Sequence, residues 1–220
     1  ARECPAGVDM SRMKIEWQHR RNRITGIPFR ERLLAALPRI APKVSRLSRL
    51  LNLASHIPGK RLLGLAPERR LPRWAGQAWR DQELKSVVPP SKSGAEQGSI
   101  EITADSTKPQ VALFVDTFSR WFEPEIPRAA RDLLEASGAD VIPLRSGPGE
   151  RPLCCGRTYL SAGMVDEAIH EAKRLVNAAR KMTSHDIKIV GLEPSCLYTL
   201  KDEIPALLDN TEANRLSELS

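Results

Sequence analysis

Three cysteines in the second half of the chain have the side chains and the spacing for redox or metal chemistry. Cys154 and Cys155 are adjacent and precede Gly156, and Cys196 closes the sequence EPSC at 193–196. Cysteine thiolates hold iron–sulfur clusters, so three thiols on two loops of one domain predict a cluster site. The alternative is that Cys154 and Cys155 are buried as small apolar side chains, a common use of free cysteine.

The cysteine content also bears on the cellular compartment. The chain has four cysteines in 220 residues and no signal-peptide pattern. It also has no apolar run near the roughly 18 residues of a membrane span. These features predict a cytoplasmic protein, and peripheral attachment at the inner face of the membrane stays open. In a reducing compartment, grouped cysteines are more often metal ligands or catalytic thiols than disulfides.

Positive charge is concentrated in the first eighty residues. Lys and Arg number 34 against 27 Asp and Glu, a net charge of +7, and basic residues dominate between Arg2 and Arg80. Nucleic-acid binding is disfavoured, because the chain has no zinc-finger spacing, RNA-binding aromatic signature or glycine-rich phosphate loop. The excess charge instead predicts solvated helix faces or a docking surface for another part of a larger protein.

The first half of the chain has the pattern of short helices followed by a linker. Apolar residues recur at helical spacing over 10–21, 29–37 and 44–56, and prolines interrupt the pattern. Such helices have little core of their own, so we expect them to pack on the rest of the protein or on a partner. The stretch 81–109 is rich in Pro, Ser and Gly and predicts a linker.

An alternating α/β unit is predicted in the second half. Apolar runs at 111–115, 141–144 and 187–192 have the character of buried strands, and amphipathic helices are predicted over 123–138 and 162–181. This alternation predicts a small parallel sheet flanked by helices in three layers.

Both cysteine motifs follow predicted strands. Ligands of open α/β sheets bind beyond the carboxyl ends of the strands, so we expect Cys154, Cys155 and Cys196 to lie together at one edge of the sheet. A helix follows Cys155, and its N-terminal dipole and free amides are expected to stabilise thiolate charge.

Several short motifs resemble the cysteine-rich CCG domain. That domain occurs in glycolate oxidase iron–sulfur subunits, heterodisulfide reductase B subunits and FAD-linked D-lactate or D-2-hydroxyglutarate dehydrogenases. The resemblance covers residues 111–208 and is closest to the branch in which an FAD domain, a ferredoxin domain and a CCG domain are fused. It implies that Cys154, Cys155 and Cys196 are cluster ligands. The motifs that carry it are VDTF (115–118), CCGRT (154–158), AG (162–163) and GLEPSCL (191–197).

The chain departs from the fullest family pattern at two positions. That pattern has two more cysteines, which correspond to Thr117 and Thr199 here. A complete cluster would therefore need a ligand from elsewhere, such as a histidine, a carboxylate or the substrate. His170 and His185 are the candidate histidines, and each is interpreted more simply as an exposed residue of a helix or loop.

The fourth cysteine lies in a second motif of iron–sulfur proteins. In the bacterial ferredoxin run C-x2-C-x2-C-x3-C-P the closing cysteine precedes proline, as Cys4 precedes Pro5. The following sequence GVDMSRMK, at 7–14, also resembles the fused enzymes. The motif predicts the end of a four-iron ferredoxin-type domain, in a chain that would be the C-terminal part of a longer enzyme. The alternative is a lone cysteine in a loop.

The resemblance implies a division of the chain and a function. The chain is expected to be the iron–sulfur part of an FAD-dependent D-2-hydroxy acid dehydrogenase of the D-lactate, D-2-hydroxyglutarate or glycolate class. Cys4, Cys154, Cys155 and Cys196 would bind 4Fe-4S clusters that relay electrons from the flavin to a quinone or a carrier. The predicted parts are a ferredoxin-type tail (1–25), a helical connecting segment (26–80), the linker (81–109), the CCG domain (110–208) and a C-terminal tail (209–220).

The flavin and the substrate belong to other parts of the expected enzyme. The chain has no dinucleotide-binding fingerprint, so upstream FAD and ferredoxin domains or subunits would bind FAD and the small 2-hydroxy acid. The chain alone is not expected to be competent, and no catalytic residue is assigned. Two alternatives are a stand-alone electron-transfer subunit of a glycolate oxidase or heterodisulfide reductase-like complex, and a non-functional truncated fragment.

Overall fold

The computed structural model describes residues 8–54, 68, 71–84 and 108–220. A helical segment comes first and an α/β unit follows. The helical segment contains α1 (Met10–Thr25), α2 (Phe29–Ala35), α3 (Leu37–Val44), a 3-10 turn (Ser45–Leu47) and α4 (Ser48–Ala54). The α/β unit contains β1 (Gln110–Phe114), α5 (Thr117–Trp121), α6 (Glu125–Ala136), β2 (Asp140–Pro143), α7 (Arg157–Ser161), α8 (Val165–Ser184), β3 (Lys188–Gly191), α9 (Pro194–Tyr198), a π-helical turn (Thr199–Glu203), α10 (Ile204–Leu208) and α11 (Thr211–Leu219). No helix in the described ranges has the length and apolar character needed to cross a bilayer.

The sheet confirms the predicted α/β class. Its three strands are all parallel in the order β2-β1-β3. Parallel neighbours need long crossover connections, and here α6 lies between β1 and β2 in the chain while α8 precedes β3. All three strands therefore end at the same edge of the sheet.

Alternate residues of the central strand pack on opposite faces, as the two-residue period of a strand requires. On one face Ala112 and Phe114 join a core that includes Leu175 of α8. On the other face Leu113 packs with Trp79, which comes from the segment before the sheet. Both faces of β1 are covered, which explains why this strand is apolar on both faces from Val111 to Phe114.

The helical segment packs on the α/β unit. Asn22 Nδ2 donates to the carbonyl oxygen of Ala162 over 2.7 Å. His19 Nδ1 lies 3.2 Å from the carbonyl oxygen of Gly163, and Thr158 Oγ1 donates to the carbonyl oxygen of Ala35 over 3.0 Å. The segment thus uses the α/β unit for the burial that its own short helices cannot provide.

Proline interrupts the helical segment less than the sequence pattern suggested. Residues 38–43 were expected to separate two helices, but they lie within α3. Pro38 is in the first turn, where its missing amide hydrogen costs nothing because first-turn amides have no intrahelical partner. Pro42 lies inside the helix, near its C-terminal end.

Two of the predicted segments contain helical structure in the described residues. At the start of the predicted linker, Asp81–Glu83 form a 3-10 turn. Asp81 pairs with the buried Arg120 over 2.8 Å. The rest of that stretch, 85–107, lies outside the described residues, so the linker stays a prediction there. The predicted tail, 209–220, mostly forms α11, whose apolar face belongs to the core with α8.

Gly163 is the position at which the docking of α1 is most sensitive to a side chain. Its φ is +68°, and an added Cβ would lie 2.7 Å from Gln18 Cβ and 2.9 Å from the Gln18 carbonyl carbon. We expect Gly163→Ala to lower the free energy of unfolding by about 1–2 kcal/mol through backbone strain. Overpacking against α1 adds about 1–3 kcal/mol. Urea unfolding and protease cleavage within α1 measure the two effects.

Gly138→Ala is the matched control. Gly138 also has a positive φ, +90°, but an added Cβ would meet no atom within 4 Å. Gly138→Ala should therefore lower the free energy of unfolding through backbone strain alone, and α1 should stay protected from protease. Equal destabilisation and equal protection in the two variants would contradict the role given to the contact with Gln18.

Candidate functional site

Three loops at the carboxyl edge of the sheet form the candidate site. After β1, the Asp116 carboxylate accepts hydrogen bonds from the backbone amides of Phe118 and Ser119 and caps α5. After β3, the Glu193 carboxylate accepts from the amide of Ser195 and caps α9. The third loop follows β2 and carries the cysteine pair. A carboxylate at an N-cap satisfies helix amides that otherwise have no partner, so each cap fixes the direction in which its loop leaves the sheet.

The structure brings the predicted thiols together. The Sγ atoms of Cys155 and Cys196 are 3.0 Å apart, although 41 residues separate them. The Cys154 Sγ accepts from the Gly156 amide over 3.4 Å. All three side chains are buried. Their predicted convergence at the sheet edge is therefore observed.

Gly156 makes the turn that presents the cysteine pair. Its φ is +86°, and an added Cβ would lie 3.3 Å from the carbonyl oxygen of Ala168 and 3.5 Å from Glu171 Cβ. The left-handed conformation favours glycine, and the contacts with α8 leave little room for a side chain. The left-handed backbone conformation and the close contact with α8 thus explain why position 156 is a glycine.

The raised pKa values of Cys154 and Cys155 favour the protonated thiol at these two positions. The pKa of Cys154 is raised well above its usual value by the hydrogen bond with Cys155 and by burial. At Cys155 the hydrogen bond with Cys154 lowers the pKa, but the hydrogen bond with Cys196 and burial outweigh it and the pKa rises. The backbone amides of Gly156 and Arg157 lower these pKa values as expected of a helix start. The expected thiolate stabilisation is present but smaller than the effects that oppose it.

The thiols line a pocket of about 670 Å³ between the helical segment and the α/β unit. Gln18 of α1 and Leu34 and Leu37 of the following helices form part of its wall. The helical segment therefore helps to build the site. Its remaining lining residues are Glu31, Ala35, Asp116, Thr117, Phe118, Cys154, Cys155, Arg157, Thr158, Ser161, Ala162, Glu193, Ser195 and Cys196.

The other residues considered as ligands differ in position. Thr117 lines the pocket. Thr199 is buried outside it and donates its hydroxyl hydrogen to the carbonyl oxygen of Ser195 over 2.8 Å. His170 and His185 do not line it either. Cys4 lies outside the described residues, so its assignment to a ferredoxin-type cluster stays a prediction.

Sequence reasoning missed a buried carboxylate behind the cysteine pair. Glu171 of α8 is fully buried and forms an ion pair with Arg151, which lies on the loop before the pair. Arg174 Nη1 lies 3.1 Å from Glu171 Oε2, and Arg39 Nε of α3 lies 3.7 Å from Oε1. A signal was available, because Glu171 lies three residues after Ala168 and four before Leu175 on the apolar stripe of α8. An acidic residue on such a stripe needs a charged partner in the core.

Tyr159 packs beside this charge cluster. The Arg39 guanidinium lies over its ring, 5.1 Å from the centroid, and burial raises the pKa of Tyr159 to about 12. Its hydroxyl group is buried and has no hydrogen-bond partner in the described part of the chain. The phenol therefore stays neutral and contributes packing between α7 and α3.

The thiols of Cys154, Cys155 and Cys196 are chemically able to bind a metal, but they are not arranged as a preformed metal site. Among the described residues, no group of three or more His, Cys, Asp and Glu is arranged to hold a metal ion. The three thiols nevertheless converge on one pocket, and metal binding would replace their protons.

The chain matches no protein-family model, and no curated protein or solved structure shows significant similarity to it.

Removing the Glu171 charge should destabilise the fold. In Glu171→Gln the arginines around it would lose their buried counter-charge, and breaking a buried pair in this way costs about 3–5 kcal/mol. We expect a loss of that size in the free energy of urea unfolding. Glu150→Gln is the control, because Glu150 also pairs with Arg174 but is exposed. It should change stability by less than about 1 kcal/mol. Similar losses in both variants would show that burial of the Glu171 pair is not the cause.

Proposed function

We propose that this chain is the iron–sulfur, CCG-type part of an FAD-dependent D-2-hydroxy acid dehydrogenase and relays electrons from the flavin to an acceptor. One observation carries the proposal. The motifs that resemble the CCG domain lie far apart in the sequence, yet Asp116, Cys155, Glu193 and Cys196 from those motifs line one pocket. This convergence supports the proposal, because a shared cluster site requires these motifs to meet.

The residues present fit a centre with three protein thiolates. Cys154, Cys155 and Cys196 would hold it, whereas Thr199 is turned to a backbone carbonyl and is not a ligand candidate. Clusters commonly use four thiolates, so the remaining position would be filled by an oxygen donor or a molecule from outside the chain. A bound cluster supplies one-electron transfer. The protein buries the thiols, directs the amides of Gly156 and Arg157 toward them and fixes the loop through Glu171.

The flavin step is assigned to other domains or subunits. FAD and the 2-hydroxy acid would bind to upstream FAD and ferredoxin partners, and a quinone or a carrier would accept the electrons. A stand-alone electron-transfer subunit is the second candidate. The joint construction of the pocket by the helical segment and the α/β unit supports both candidates over a non-functional fragment, because it gives the segment a specific role.

Iron content distinguishes the two cysteine sites. After anaerobic reconstitution, we expect iron and acid-labile sulfide to bind to the parent chain and to be lost in Cys155→Ser and Cys196→Ser. Cys4→Ser is the matched control, because it removes a thiol that lies outside the CCG motifs. It should retain the iron, since a ferredoxin-type cluster needs three further cysteines. Iron that disappears in the Cys4 variant and persists in the Cys155 variant would refute the assignment.

We further propose a cytoplasmic location with peripheral attachment at the inner face of the membrane. Residues 10–54 contain eleven Lys and Arg and two Glu. On α1, Met13, Trp17 and Ile24 are exposed on the side opposite the packed Asn22. The Arg21 guanidinium lies 5.4 Å from the Trp17 ring centroid. Basic residues beside exposed apolar side chains favour contact with the surface of an anionic bilayer.

Vesicle binding tests this attachment. The chain should cosediment with vesicles that contain phosphatidylglycerol and not with pure phosphatidylcholine, and added salt should weaken the binding. Trp17→Ser should reduce the affinity by roughly ten- to a hundredfold, because burying an aromatic ring contributes about 1.5–3 kcal/mol. Leu133→Ser is the control, because Leu133 is also exposed but lies on α6. Equal binding to both vesicle types, or an unchanged affinity in the Trp17 variant, would refute the attachment.

A further inference from the structure

We propose that Cys155 and Cys196 are a reversible dithiol–disulfide couple in the metal-free protein. The two sulfur atoms lie 3.0 Å apart. A disulfide bond is about 2.05 Å long, so the two atoms need to approach by only about 1 Å. The couple is a site of covalent modification that does not depend on a bound metal.

The backbone keeps both thiols in place. Cys155 precedes the left-handed turn at Gly156, whose close contact with α8 restricts movement of the loop. Cys196 lies in the first turn of α9, which Glu193 caps and Pro194 begins. Because the folded chain already holds both thiols in place, cross-linking them removes little further conformational entropy from the native state.

The geometry selects this pair over the adjacent one. Disulfides usually join Cα atoms about 4.4–6.8 Å apart, whereas neighbouring residues on a trans peptide are about 3.8 Å apart. The described peptide bonds are all trans, so Cys154 and Cys155 fall outside the usual range. The Cys154 sulfur is held by the Gly156 amide. Cys154 is therefore expected to stay a free thiol.

The oxidant is a small disulfide of the glutathione class. Its entry route is the pocket, which Cys155 and Cys196 both line and whose volume is about 670 Å³. One protein thiolate attacks the small disulfide, forms a mixed disulfide and releases one small thiol. The second protein thiolate then displaces the other. One disulfide bond breaks and one forms, and two electrons and two protons pass from the protein to the two released thiols.

Oxidation also has a consequence for the metal centre, which rests on the proposed function. Disulfide formation would remove two of the three candidate ligands, so the oxidised protein could not take up the cluster. The couple would make cluster assembly dependent on reduction of the site.

Thiol trapping tests the couple on the full chain. Metal-free protein is equilibrated with glutathione buffers of increasing oxidised fraction and is alkylated with N-ethylmaleimide. The alkylated cysteines are then counted by intact mass. We expect two fewer alkylated cysteines after oxidation, with the cross-linked peptide joining Cys155 to Cys196, and full recovery after reduction. This mapping uses the parent chain and does not depend on a variant that folds.

Three variants sharpen the assignment. Cys154→Ser and Cys4→Ser should each retain the loss of two alkylation sites, whereas Cys155→Ser should form no intramolecular disulfide. Full alkylation of the parent chain in every buffer, or a cross-link that involves Cys4 or Cys154, would overturn the proposal. Iron content of the reduced protein is a separate readout. A disulfide without iron uptake would reject the proposed function alone, and iron uptake without the disulfide would reject the couple alone.

Discussion

A single buried carboxylate joins the parts of the structure that build the thiol pocket. Glu171 of α8 contacts Arg151 from the loop before the cysteine pair and Arg39 from α3. Burial of an unpaired charge costs several kcal/mol, about 3–5 when one partner of a buried pair is removed. The loop therefore cannot leave α8 without a large loss of stability, and the more exposed Arg39 adds a weaker link to the helical segment. The pocket depends on this ion cluster, because the cysteine pair and the helical segment that the cluster holds to α8 both form part of the pocket wall.

Backbone geometry then places the thiols on this framework. The parallel strands end at one edge, and the helix caps at Asp116 and Glu193 direct two of the loops that leave it. Gly156 supplies the left-handed turn of the third loop. The parallel strands, the two helix caps and the Gly156 turn all act through the main chain, and none of them needs a bond between sulfur atoms. The cysteines consequently meet through the fold itself, which places the sulfur atoms of Cys155 and Cys196 within reach both of a metal and of each other.

The sequence predicted those features that depend on local periodicity. The apolar runs gave the three strands within a few residues, and the carboxyl-edge rule brought Cys155 and Cys196 together. Features that depend on partners distant in the chain were not predictable in this way. Glu171 was not singled out from the sequence, because two of its arginine partners, Arg39 and Arg151, lie on other elements. The segment at Asp81 looked like a linker because its polar composition conceals the ion pair with Arg120.

The charges around the pocket bear on whether it could bind an acid substrate. Asp116 and Glu193 line the pocket, and the one described arginine that lines it, Arg157, is paired with Glu203. A second carboxylate brought in by a 2-hydroxy acid would meet like charges at short range, which raises its energy. An iron–sulfur centre carries positive metal ions to the thiolates, and these ions favour the deprotonated sulfur that burial disfavours. The carboxylates around the pocket thus disfavour an acid substrate there, and this is compatible with the proposed electron relay.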